Sequence, residues 1–250
     1  MVISFIAFII VFSIIVLVHE LGHFIAARKS GVKVYEFSIG FPFSPRLVTL
    51  YRHRETEFTL RLLPLGGFVS FSKDGDEDAK GLFEASYFRR ALIMSAGSLF
   101  NIAFAFIAFI PVYIMGKHLH FTDAISLSAE TVWEILSGTV IVLLNVISGN
   151  GGMEGLAGPV GIAVMAGHAA SKGILNLFYF SGVLSMGLGI MNLFPLPALD
   201  GGQLLMLFIE TIRKKPIRMK TYQAVNLIGF ALFIILSVLV TYKDVVKLIS

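Results

Sequence analysis

The sequence predicts a polytopic α-helical membrane protein: about four transmembrane helices, a small membrane-associated β-sheet after the first, and a broken helix carrying Asp200. Three observations carry that expectation. The 250 residues are 56% hydrophobic and only 14% charged, with a mean hydropathy of +0.83, a balance that points away from a soluble domain. Apolar runs near the ~20 residues that a bilayer requires recur at about 2–27, 91–115, 174–191 and 224–241. Between the first two runs, residues 32–71 carry the β-branched and aromatic pattern of strands.

Cysteine is absent, so there is no disulfide framework and no thiolate metal site. The net charge of +4 belongs to the connections, so the expected partner is the lipid bilayer and no nucleic acid. Of the 20 basic residues, 11 lie between Arg28 and Arg90 and 5 between Arg213 and Lys220. The positive-inside rule places both connections in the cytoplasm and, with four spans, both termini outside. The first run is not a cleaved signal peptide: it lacks a basic leader and is too long.

Within the second region, Val32–Phe41, Arg46–Tyr51 and Glu57–Leu63 read as strands, and Arg52–Thr56 could close a hairpin. Pro64–Val69 is apolar and Gly-rich, and Gly66, Gly67 and Phe68 form its centre. Glycine there often marks close approach of another backbone. Two readings stay open: a sheet edge that receives an extended substrate by strand addition, or a solvated meander that only connects spans. Lys73–Glu84 reads as a solvated acidic loop, and Arg89 and Arg90 anchor the second span. Asn101 at membrane depth serves either an interhelical hydrogen bond or the site below. Residues 131–147 look like an interfacial helix or a short core helix, since a fifth span there would upset the charge argument, and His53, His118, His120 and His168 read as interfacial.

His19-Glu20-Leu21-Gly22-His23 sits inside the first apolar run, which has no other charge from Val2 to Ala27. Ionisable groups at that depth are costly and mark function by default. Residues i and i+4 share one helix face, so His19 and His23 can both point at one zinc ion, and Glu20 can act as general base on a water beside it. The bland alternative, a packed helix with two hydrogen-bonded histidines, would need a partner for every polar atom in hydrocarbon. His23 lies about 7.5 Å of helical rise from Arg28, toward the cytoplasmic side.

The third run ends as Asn192-Leu193-Phe194-Pro195-Leu196-Pro197-Ala198-Leu199-Asp200-Gly201-Gly202. Pro195, Pro197 and Gly201 predict a broken helix at the site. Irregular backbone at that depth is tolerated only against protein or a water-filled cavity. Asp200 has no nearby Lys or Arg in sequence, and a catalytic zinc needs a third protein ligand. An interhelical hydrogen bond or protonation in place are its alternatives. Glu210 reads as an ion-pair partner for the basic run Arg213–Lys220.

The chain resembles the site-2 proteases, most closely the bacterial regulator-of-sigma-E type of intramembrane zinc metalloprotease. The resemblance rests on His19–His23, Pro64–Val69, Asn101, Gly158-Pro159-Val160-Gly161 and Asn192–Gly201 in that order, and covers nearly the whole chain. It implies one Zn2+ held by His19, His23 and Asp200, with Glu20 as catalytic base and Asn192 on the substrate backbone or oxyanion. It also implies a membrane-reentrant sheet that holds substrate unwound, and a bacterial inner-membrane location. The implied substrate is a single-span membrane protein such as an anti-sigma factor, trimmed first by an upstream site-1 protease. The family usually carries PDZ domains between the second and third conserved spans. Here Met115 is followed within about a dozen residues by the segment beginning Ser126, so residues 1–250 read as one membrane-embedded protease domain without one.

Two other classes use similar residues. A metal or proton transporter could run a relay through His19, Glu20, His23 and Asp200, but no inverted repeat is visible. A di-iron oxidase would need several further histidine boxes, and the remaining histidines do not form them.

Overall fold

The computed structural model describes residues 2–40, 44–63, 66–72, 80–149 and 157–249. Nothing breaks the first apolar run, and α1 extends over Val2–Lys29. It ends where Gly31 turns left-handed at φ 75° and Val32 N–H bonds back to Ala27 C=O, the hydrogen-bond pattern of a glycine-terminated helix.

Four strands follow: β1 (Glu36–Ile39), β2 (Arg46–His53), β3 (Thr56–Arg61) and β4 (Gly67–Ser70). Their order is β2-β3-β1-β4, with β1 parallel to β3 and the other pairs antiparallel. The expected hairpin is β2–β3, turning at Arg54 with φ 55°. Glu36, buried in β1, accepts from Thr59 Oγ1 at 2.6 Å and from the guanidinium groups of Arg61 and Arg46 at 3.1 Å each. One carboxylate thus ties β1 to β3 and to the start of β2. The expected strand over residues 32–41 shrinks to four residues. Residues 41, 64, 65 and 73–79, which hold parts of the expected strand, glycine-rich run and acidic loop, lie outside the described residues.

Eight helices lie among the described residues. After α1 come α2 (Lys80–Phe83), α3 (Tyr87–Lys117), α4 (Phe121–Ile147), α5 (Pro159–Ser171), α6 (Ile174–Leu193), α7 (Asp200–Arg213) and α8 (Met219–Ile249). Five are long and apolar enough to cross a bilayer: Ile3–Lys29, Tyr87–Lys117, Phe121–Val142, Ile174–Leu193 and Met219–Val246. That is one candidate span more than the expected count of about four. The difference is α4, which starts at Phe121 rather than at residue 131. Its polar residues there are satisfied within the helix or by a neighbour, which conceals them. Ser128 Oγ donates to Ala124 C=O at 2.7 Å, and Thr131 Oγ1 pairs with Tyr113 OH at 2.7 Å. Only three residues join α3 to α4.

The chain divides into two compact units. One comprises residues 1–11, 102–190 and 223–250, with Phe109, Tyr113, Ala124, Met186 and Ile190 in its core. There the Gly158-Pro159-Val160-Gly161 segment opens α5, and the Gly158 and Gly161 N–H groups both donate to Asp244 Oδ2 of α8 at 2.8 Å. The other comprises residues 12–101 and 191–222. Its core joins Ala26, Ala27, Val32, Val34, Ile93, Met94, Ala96 and Leu207, and it contains every residue discussed next.

Candidate metal centre

Helical spacing puts His19 and His23 on one face of α1, with their Nε2 atoms 3.2 Å apart. The break after α6 brings Asp200 to the same place. Residues 194–199 are non-helical, Pro195 and Pro197 lie within them, and Ala198 adopts φ 71°. Asp200 then opens α7. Its Oδ2 lies 3.1 Å from His19 Nε2 and 3.3 Å from His23 Nε2. Gly201, expected in the break, sits inside the first turn of α7. A side chain there would strike the carbonyl oxygens of Leu193 and Phe194, so it serves close approach rather than helix breaking.

Three observations bear on whether this triangle suits a metal ion. Its edges are 3.1, 3.2 and 3.3 Å, and two ligands held ~2.0–2.1 Å from a tetrahedral zinc are about 3.3 Å apart. Asp200 Oδ2 is buried with no hydrogen bond of acceptable direction. Gly97 of α3 leaves space beside the donors: a Cβ there would lie 2.8 Å from His19 Nε2 and would strike His23 Nε2. Two imidazoles and one carboxylate, converging within these distances, fit zinc.

The second layer is in place. His23 Nδ1 lies 2.7 Å from Ile93 C=O, which fixes the tautomer that leaves Nε2 as a lone-pair donor. Asn101, fully buried, meets His19 Nδ1 at 3.5 Å. The amide atom placed there is Nδ2; were His19 to ligate through Nε2, its Nδ1–H would call for the amide oxygen instead, an interchange of the side-chain O and N. Asn192 Nδ2 lies 3.4 Å from His19 Nε2, beside the same donor atoms. The backbone of α3 comes this near because Gly22 has no side chain; a Cβ there would stand 2.5 Å from Ala96 C=O.

The sheet reaches Glu20 through β4. Gly66 C=O accepts from Gly40 N–H, so antiparallel alternation turns the peptide groups of Gly66 and Phe68 toward β1 and those of Gly67 and Val69 outward. Of the three residues expected on a substrate-pairing edge, only Gly67 faces out, and Val69 joins it. Gly67 packs on Glu20 (a Cβ would lie 3.0 Å from Glu20 Cγ), and Val69 N–H bonds to the Glu20 carboxylate.

Sequence reasoning missed Gly97, Gly22, Ile93 and Val69. One signal was available: Arg90, Ile93, Gly97 and Asn101 recur at helical spacing along one stripe of α3. Glu210 pairs with Arg90 of α3, not with the basic run after it. Arg213–Lys220 are exposed or partly exposed.

Comparison with known proteins supports a shared chemistry. Residues 7–236 match the profile of peptidase family M50. A Clostridium perfringens protein with the provisional name of zinc metalloprotease is 30% identical, the alignment covering 94% of this chain and 96% of that one. The zinc metalloprotease RasP of Geobacillus kaustophilus is 25% identical over 98% of each chain. The regulator of sigma-W protease RasP of Bacillus subtilis is 41% identical over half of this chain and 30% of its own. The first two alignments run over 325 and 419 positions, more than this chain's 250 residues, so those relatives carry stretches this chain lacks.

Proposed function

We propose that this chain, which belongs to peptidase family M50 and is a zinc metalloprotease, cleaves a peptide bond within or beside the transmembrane segment of single-span membrane proteins. The observation that carries the proposal is the convergence of His19 Nε2, His23 Nε2 and Asp200 Oδ2 beside Glu20, the histidines and Glu20 lying on a helix apolar enough for a bilayer. These three residues would hold one zinc ion. Bound there, zinc supplies Lewis-acid activation of the scissile carbonyl and of the attacking water.

The protein's own groups do the rest. A transmembrane helix hides its carbonyls in hydrogen bonds, so substrate has to be presented extended. The outward peptide groups of Gly67 and the outward carbonyl of Val69 can pair with such a strand beside Glu20, which holds the Val69 N–H. The Glu20 carboxylate takes a proton from the attacking water and returns it to the leaving amine. Asn192 donates from Nδ2 to the oxygen on which charge develops. Gly97 keeps the space before the donors open. The density of Lys and Arg between Arg28 and Arg90 supports a site toward the cytoplasmic side of a bacterial inner membrane, with both termini outside.

An anti-sigma factor already trimmed by a site-1 protease is the substrate we favour. It agrees with the name of the sigma-W regulator in Bacillus subtilis. The deciding experiment is cleavage of a helix-destabilised single-span substrate by purified protein, wild type beside Glu20→Gln, with zinc quantified in both. Chelator-sensitive cleavage by wild type alone, with zinc in both, is expected. Loss of zinc from Glu20→Gln would remove Glu20 from the role of base. Zinc in both with cleavage by neither would point either to an unsuitable substrate or missing domain, or to a site that binds metal for transport.

A further inference from the structure

Asp200 rides on α7, a 14-residue helix whose firmest polar anchor lies at the other end. Glu210 is ten residues on, about 15 Å along the axis. It is 2% exposed, and its Oε2 lies 2.6 Å from Arg90 Nη1, itself 4% exposed. Glu210 Oε1 accepts from Ile217 N–H at 3.0 Å, and the Arg90 guanidinium lies 4.9 Å over the Phe83 ring. Between the two ends, α7 meets α3 through Leu204 and Leu207, in the core that holds Ile93, Met94 and Ala96.

Apolar contact of that kind is non-directional and tolerates sliding. A short charge-assisted bond between buried groups does not. A buried ion pair is weak evidence for stability, and its best-attested use is to fix register. On α3, Arg90 shares a stripe with Ile93, which orients His23, and with Asn101, which faces His19.

We infer that Arg90 and Glu210 are positioning residues, a buried strut that sets α7 along α3 and so places Asp200 Oδ2 against the two imidazoles. All three donors are then keyed to one helix. The inference rests on His19, His23 and Asp200 being the zinc ligands.

The test uses the full chain in detergent: wild type, Glu210→Asp, the apolar double variant Arg90→Met with Glu210→Met, and Asp200→Asn. Glu210→Asp keeps the charge but shortens the strut by one methylene, and the double variant removes the strut without leaving a buried charge. Zinc release to a chelator, the visible spectrum after exchange with Co2+, and kcat against KM are measured, with thermal unfolding as the control for folding. Both strut variants are expected to release zinc at least tenfold faster, with altered Co2+ bands and a lower kcat at similar KM. If either of them, folded, keeps the wild-type release rate and Co2+ spectrum while Asp200→Asn loses zinc, the pair is merely structural and the inference falls. If Asp200→Asn itself holds zinc like wild type, the ligand assignment fails instead, and the strut inference falls with it.

Discussion

Alanine at Gly97 is expected to abolish metal binding while leaving the chain folded. An ideal Cβ at that position lies 2.7 Å from His19 Cε1 and 2.8 Å from His19 Nε2, and it would strike His23 Nε2. Carbon and nitrogen rest at roughly 3.5 Å, so the rings or α3 must give by about 0.7 Å. His23 is held by Ile93 C=O at 2.7 Å, on the same helix that carries Gly97. Metal sites keep their ligand distances within about ±0.2 Å. The required shift is therefore several times the tolerance of the site, whereas overpacking of this size costs the fold about 1–3 kcal/mol. Activity should fall by about 10²-fold or more, with zinc well below one per chain. Gly187→Ala is the control, because a Cβ there meets nothing within 4 Å. Zinc by elemental analysis, cleavage of a single-span substrate and thermal unfolding in detergent are read together. Full zinc and wild-type cleavage in Gly97→Ala would refute the close packing of the two ring nitrogens against Gly97.

Other outcomes follow from separate features. Asp200→Asn should weaken zinc binding and cleavage together; unchanged zinc retention under chelator would exclude it as a ligand. Asp244→Ala orphans two N–H groups at the start of α5, at about 1–3 kcal/mol for each buried group left unpaired. Thermal unfolding should then begin on the order of 5 °C lower, and an unshifted midpoint would show that water replaces the carboxylate. Because the chain has no cysteine, a single cysteine near either end can be labelled from one side of intact cells. Both ends are expected to label from outside, and labelling from opposite sides would mean that α4 completes a fifth crossing. With only three residues between α3 and α4, no PDZ-like filter separates them, so substrates with bulky and with trimmed ectodomains should be cleaved at similar rates. A large difference between the two would disprove relaxed discrimination.

What the sequence revealed of the site was the part written in fixed spacing or rare chemistry. His19 and His23 share a face by helical arithmetic alone, and an acid at Asp200 amid apolar residues had few uses. The fold class, the β2–β3 hairpin and four of the five long helices were legible for the same reason: each is a local pattern. What stayed hidden depends on docking. Gly97 looks like any small residue in an apolar helix until α1 is laid against α3. Glu210 has five basic neighbours in sequence, yet the core selects Arg90, 120 residues away. The outward amides of β4 follow from register, which a four-residue strand does not encode by itself. The start of α4 was obscured because serine and threonine hydroxyls bonded to the preceding turn cost a helix little.

The brevity of β4 has a consequence for what can be captured. With the Val69 N–H held by Glu20, Gly67 and Val69 offer at most one N–H and two C=O groups to an incoming strand. At a net ~0.5–1.5 kcal/mol per hydrogen bond, that is a few kcal/mol in all. Unwinding even one turn of a well-formed helix in lipid leaves several backbone groups unsatisfied, at several kcal/mol each. So short an edge cannot melt a stable helix; it can only catch one that opens on its own. Selection would then fall on the weakness of the target segment rather than on its side chains. Substrates graded only in glycine and proline content should be cleaved in that order, however unlike their other residues.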